Sequence, residues 1–153
     1  MKIISGFVAQ FNASIALDES LIANKNNRYF LLKQNLKRLL RKELYYAGTY
    51  LGKTKDGKFF PSFSLLAMIS RGNANKVIVD RKTAWLFICG RDVFQQGMTK
   101  VLGSRKKSSY TLVLNEYDEC LGFGKITRNL DEKRTGLAIK NISDIGNFLR
   151  REQ

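Results

Sequence analysis

Two glycine-punctuated strings constrain this chain more than any other feature: Gly90-Arg91-Asp92-Val93-Phe94-Gln95-Gln96-Gly97-Met98 and, further on, Leu121-Gly122-Phe123-Gly124. The first follows a short apolar run, Ala84 to Cys89, bounded by glycine and therefore a compact buried helix or strand. Glycine at 90 and 97 admits positive φ, so the chain is expected to leave the helix at Gly90 and to swing through a tight turn at Gly97 into a strand that begins at Met98. In the second string Gly122 and Gly124 flank Phe123 inside a strand-like stretch, where missing side chains let another backbone approach closely. Taken singly, these strings are an ordinary turn and an ordinary bulge. Their pairing within a basic segment points to one small module.

The rest of the chain supplies elements on either side. Ile3, Ile4, Phe7, Val8 and Phe11 recur at helical spacing and predict a short N-terminal helix with one core face. Two β-leaning runs, 20–25 and 28–33, surround Asn26-Asn27, a pair tolerant of left-handed backbone and so a hairpin. Leu36, Leu39, Leu40 and Leu44 share one face of a helix expected over 34–44. Strands over 45–53 and 58–64 enclose the turn Lys55-Asp56-Gly57, with Pro61 placing the second at an edge or ending it early. Ser62 is a cap for a short helix through Ile69, and Arg71 to Asn75 is a linker. The domain boundary is expected there, giving residues 1–73 and 74–153. Beyond it come a strand over 76–80, a helix over 83–89, strands over 98–102, 110–115, 121–127 and 136–140, and a helix over 145–151 capped by Ser143-Asp144.

Charge narrows the function. The 153 residues hold 27 Lys and Arg against 13 Asp and Glu, a formal +14, and such a field attracts polyanions. No apolar stretch approaches the roughly 18 residues that span a bilayer, and the N-terminus lacks the pattern of a secretory signal. The partner is therefore expected to be nucleic acid and not a membrane, in a cytoplasmic protein. With no histidine and two cysteines, Cys89 and Cys120, that lack metal-ligand spacing, most zinc sites and every His-dependent triad are excluded. Both cysteines are read as core filler. Neither a GxGxxG nor a P-loop string is present, and the adjacent acids Asp118-Glu119 and Asp131-Glu132 fall in polar turns where carboxylates are solvated. No catalytic residue, metal site or cofactor is expected. Trp85, Phe87 and Phe94 are read as core, since aromatics within an apolar helix or beside it are usually buried.

The glycine strings, set among these strands with one helix between the first two, resemble the PUA domain, a small RNA-binding β pseudo-barrel. The resemblance covers about residues 74–153. It implies an α+β fold: an N-terminal antiparallel sheet with helices, then a PUA-like pseudo-barrel with short helices. In such domains the first helix and its glycine turn lie against RNA, which implies that Arg91, Gln95, Gln96 and Lys100 approach it. Leu51 to Lys55, Lys58-Phe59 and the helix of Leu65 and Leu66, together with Leu121 to Gly124 and Asp144-Ile145-Gly146, further resemble an archaeal-type member of the Nip-seven family of large-subunit ribosome-biogenesis factors.

That resemblance implies a non-catalytic protein that binds pre-rRNA, with a preference for U-rich or A/U-rich single strands. It also implies pre-ribosomal or exosome-type protein partners, and a nucleolar location if the source is eukaryotic. The candidate RNA ligands are Arg91, Lys100, Arg105, Lys106, Lys107, Lys125, Arg128, Lys133, Arg134, Lys140, Arg150 and Arg151, which come from segments that adjoin in such a barrel. Gly90, Gly97, Gly122 and Gly124 are structural. Two blander readings stand beside this one: an evenly charged solvated surface, and for Arg105-Lys106-Lys107 a solubilising loop tip. The alternative function is an accessory subunit that docks tRNA or guide RNA for a separate modification enzyme.

Overall fold

A computed structural model describes residues 2–35, 48–132 and 134–150, and the helix expected over 34–44 lies almost wholly outside the described residues. The chain is an α+β protein of two sheets. The first is an antiparallel meander in the order β1 (Ile22–Lys25), β2 (Arg28–Leu31), β3 (Thr49–Lys55) and β4 (Lys58–Pro61). Its two tight turns are the expected ones: Asn26 and Asn27 take φ of 51° and 62°, and Asp56 and Gly57 take 50° and 71°. Both central residues left-handed is the turn whose twist matches the flanking strands. Pro61, which has no N–H to give a further strand, ends β4 at the sheet edge.

Helix α1 (Lys2–Ala9) and helix α2 (Phe63–Arg71) flank this meander. Ser62 caps α2 by accepting from the Leu65 N–H at 3.1 Å. The following segment is less of a linker than its composition predicts. Asn75 is 3% exposed, donates its backbone N–H to the Phe11 carbonyl and accepts from the Leu112 N–H.

The second sheet contains β5 (Lys76–Val79), β6 (Val93–Phe94), β7 (Met98–Leu102), β8 (Tyr110–Leu114), β9 (Cys120–Ile126) and β10 (Leu137–Asp144), ordered β6-β10-β9-β8-β5-β7. Only β5 and β8 pair in parallel. Its two edge strands are joined by a single 3-10 turn, Gln95–Gly97. Six flat strands would set those edges about 24 Å apart, whereas the four Cα steps from Phe94 to Met98 reach at most about 14 Å. The sheet therefore curls into a half-barrel. Helix α3 (Arg81–Ile88) plugs one side of it and α4 (Ile145–Arg150) packs beside α3.

The glycines serve this curvature in different ways. Gly90, at φ 90°, ends the α3 segment as expected. Gly97 does not turn the chain through a positive φ; it lies under Thr83, and a Cβ there would overlap the threonine side chain. Gly122 and Gly124 let β10 approach, since Cβ atoms would meet the carbonyls of Ser143 and Lys140. That same register, with a bulge between Asn141 and Ser143, carries β10 beyond the expected residue 140 to Asp144.

The described residues form two cores. Val77, Val79, Phe87, Val93, Val113, Ile126, Leu130, Ala138 and Ile139 fill the half-barrel. The other core is shared between the sheets: Ile4, Phe7, Val8, Phe11, Leu51, Leu65, Leu66 and Ile69 from the N-terminal half meet Leu112, Leu114 and Phe123 of the curled sheet. Strand β8 is apolar on both faces because Leu112 and Leu114 serve one core and Val113 the other. Edge-to-face ring pairs join the halves, with centroids 5.6 Å apart for both Phe7–Phe123 and Phe11–Phe123. Each such pair adds about 0.5–1.5 kcal/mol beyond area burial.

Candidate nucleic-acid interface

The connection from β7 to β8, residues 103–109, is the most exposed basic loop among the described residues, and it is held from below. The buried Asn75 amide is its anchor: Nδ2 donates to the Tyr110 carbonyl at 3.1 Å, and Oδ1 accepts from the Ser104 N–H at 2.9 Å. The hydroxyls of Ser104 and Ser109 lie 2.8 Å apart across the loop, and Ser108 donates its N–H to the Ile126 carbonyl. Buried amides with every group satisfied rigidify what they hold. Nothing in the sequence marks Asn75 for this task, because an asparagine in a short polar, glycine-containing stretch is a common loop residue.

This loop divides its cations between two clefts. On one side Arg105 and Lys100 line a cleft of about 370 Å³ with Gln95, Thr99 and Leu130. On the other, Lys106 and Tyr110 line a groove of about 550 Å³ with Ser104, Ser108, Ser109, Asn75 and the end of α1. Lys125 lies over the Tyr110 ring, 5.7 Å from its centroid. Lys107 is exposed and lines neither cleft. The loop thus presents charge for phosphates, while hydroxyls, amides and one aromatic ring line the second groove.

Other candidates have structural partners. Arg128 donates to the carbonyls of Leu137 (3.1 Å), Arg134 (2.6 Å) and Glu132 (3.4 Å) and to the side chain of Gln95, so its guanidinium ties the 128–137 connection to the 3-10 turn. Arg150 donates from Nη2 to both carboxylate oxygens of Asp144, at 3.0 and 3.1 Å, and from Nη1 to the Ile88 carbonyl at 2.6 Å, joining α4 to α3. Lys140 pairs with Asp92 at 3.0 Å. Arg134 lies 3.5 Å from Glu132 and Arg105 3.6 Å from Asp131, both at exposed positions where such pairs contribute little. Gln95 donates to the Leu130 carbonyl and is partly buried, whereas Gln96 is exposed. Lys133 and Arg151 lie outside the described residues. Arg91, Lys100, Lys106 and Lys107 are exposed and form no ion pair among the described residues.

Two core assignments are corrected by helix phase. Phe87 is fully buried, but Trp85 is 65% exposed and Phe94 49%. At 100° per residue, Trp85 stands about 200° from Phe87, so both cannot face one core. Phe94 lies opposite Leu137 on the outer side of β6, while its neighbour Val93 points inward. Cys89, at the end of α3, is likewise exposed and not core filler. Cys120 is partly buried against the shared core, and burial pushes its thiol up to about 11. Helix α3 begins two residues before the expected start because Asp80 caps it, accepting from the Thr83 N–H at 2.7 Å. That hydrogen bond, with the nearby charge of Lys82, holds the Asp80 carboxyl below its ordinary range.

Comparison with known proteins agrees with this architecture. Residues 75–153 match the model of the UPF0113 PUA domain family. Over 113 residues the chain is 30% identical to the UPF0113 protein of Archaeoglobus fulgidus, a match covering 71% of this chain and 64% of that one. Over 136 residues it is 26% identical to the 60S ribosome subunit biogenesis protein NIP7 homolog of Danio rerio, covering 83% and 76%. Among solved structures, a conserved PUA domain protein from Thermoplasma acidophilum superposes with a TM-score of 0.64 at 20% identity, over 99% of this chain and 92% of that one. A PUA domain from Aeropyrum pernix gives 0.52 at 22% identity, over 61% and 56%. The Nip-seven resemblance of the Leu51 hairpin and the Leu121 to Gly124 string is borne out, and the chain belongs to the UPF0113 PUA-domain family.

Proposed function

We propose that this chain is a non-catalytic RNA-binding protein of large ribosomal subunit assembly, binding pre-rRNA through residues 74–153, with residues 1–73 as a pre-PUA domain that orients it or meets a protein partner. The observation that carries the reading is the rigid 103–109 loop, whose cations border two clefts without strong carboxylate partners. The family membership and the printed role of the Danio rerio relative support it. The resemblance to the Nip-seven family implies U-rich or A/U-rich single strands as its ligands, and the polar grooves beside the loop have room for unpaired bases. No helix among the described residues is long and apolar enough to cross a membrane.

Cross-linking the chain to cellular RNA tests the assignment. Recovery of rRNA precursors is the expected result. Recovery of tRNA or guide RNA without rRNA transfers the protein to the accessory-subunit role, and a modified nucleotide made by the purified chain alone overturns the non-catalytic reading.

A further inference from the structure

Helix α3 carries a surface that the basic loop does not account for. Its buried side is formed by Thr83, Ala84 and Phe87; the opposite side presents Lys82, Trp85, Leu86 and Cys89, at the i, i+3, i+4, i+7 spacing of one stripe, with Arg81 beside it. Trp85 is the only tryptophan of the chain and leaves 65% of its surface in solvent, with Leu86 at 40% next to it. Arg81 and Lys82 occupy the first turn of α3, where the helix dipole disfavours cations, so they do not stabilise the helix.

The surrounding charges select the occupant. Arg81, Lys82 and Arg91 form no ion pair among the described residues. The carboxylates nearest to them in the chain and at the start of the packed helix are already engaged: Asp80 by the Thr83 N–H, Asp92 by Lys140 and the Asn141 N–H, and Asp144 by Arg150. A large exposed indole among unpaired cations is complementary to a polyanion that carries planar rings.

We infer that Trp85 is a stacking platform for a base of single-stranded RNA, with Arg81, Lys82 and Arg91 contacting the flanking phosphates. The inference rests on the RNA-binding reading and extends its site from the loop across α3.

Because Trp85 is the sole tryptophan, its emission reports this one place. The experiment titrates the intact protein with 12-nucleotide oligouridylate and oligoadenylate, following tryptophan emission and the anisotropy of labelled RNA in parallel. Saturable quenching at the same midpoint as anisotropy is expected, together with slower alkylation of Cys89 by a maleimide. Trp85→Ala should weaken binding about tenfold, Trp85→Phe much less, since stacking is the lost interaction. Neither should change the salt dependence, whereas Lys82→Ala should lower its log-log slope by about 0.7. RNA binding by anisotropy with unchanged emission and an unaffected Trp85→Ala variant overturns the platform while leaving the RNA-binding reading intact. Absence of RNA binding by the unmodified chain overturns both. Emission that changes with protein concentration but not with RNA assigns the stripe to a second copy of the chain and also overturns the platform.

Discussion

The cations around β10 and those around the β7–β8 loop differ in what surrounds them, not in kind. Near β10, Arg128 and Arg150 reach backbone carbonyls and carboxylates and act as clamps between elements. At the loop and on α3, Lys82, Lys100, Lys106 and Lys107 find no carboxylate within ion-pair distance among the described residues. Net charge counts both groups equally. Only the second group is free to neutralise phosphate, so a positive total overstates the charge available to a ligand.

The division can be broken first at Arg150. Asp144 is nearly buried, with its side chain 4% exposed, and Arg150→Ala leaves that carboxylate without its cation. A cost of about 2–3 kcal/mol in urea unfolding is expected, below the full penalty of a buried pair because the arginine is half-exposed. Arg150→Lys should recover only part of it, for a single ammonium does not reproduce the two nitrogens that hold Asp144 and the Ile88 carbonyl together. RNA affinity of the folded variant should hold. Arg128→Ala comes next, at about 1.5–2 kcal/mol, since several acceptors lose a charged donor. Its salt slope for RNA should stay at the wild-type value; a fall of about 0.7 would move Arg128 into the phosphate-binding group.

The α3 cap gives a smaller effect. Asp80→Ala should cost about 1 kcal/mol. Because the folded carboxyl lies below its ordinary range, its contribution is fully present above that range and is lost as pH falls through the folded value. Acid unfolding of the variant should therefore be less steep than that of the wild type below the ordinary aspartate pKa of about 3.9. The smallest effect on stability belongs to the triple variant Lys100→Ala, Lys106→Ala, Lys107→Ala, which should unfold within about 0.5 kcal/mol of wild type. The same variant should lose about 2 from the log-log salt slope for single-stranded RNA, three contacts at about 0.7 each. An unchanged slope would dissolve the distinction between the two groups.

Much of this architecture is legible in the residues. Local chemistry specifies the turns at Asn26-Asn27 and Asp56-Gly57 and the caps at Ser62 and Asp144, because those conformations depend on nearby atoms alone. The exposure of Trp85 was also legible, since its phase against Phe87 follows from helix geometry; burial statistics for aromatics outweighed it. What the sequence hides is tertiary. Asn75 becomes an anchor only when β8 and the 103–109 loop close around it, and Gly97 is required by Thr83, which comes from another element. Whether an arginine clamps or binds likewise depends on carbonyls contributed by distant segments.

The shared aromatic core has a consequence for synthesis. Phe7 and Phe11 emerge from the ribosome long before Tyr110 and Phe123, so the part of the α1 face that Phe59 and the N-terminal sheet leave open must wait through most of elongation. Contacts of such sequence separation form late and slowly, and they leave hydrophobic surface open to chaperones or to aggregation in the interval. Helix α1 is thus only partly covered until β8 and β9 arrive, and a nascent chain stopped short of β9 would carry that uncovered surface as a liability.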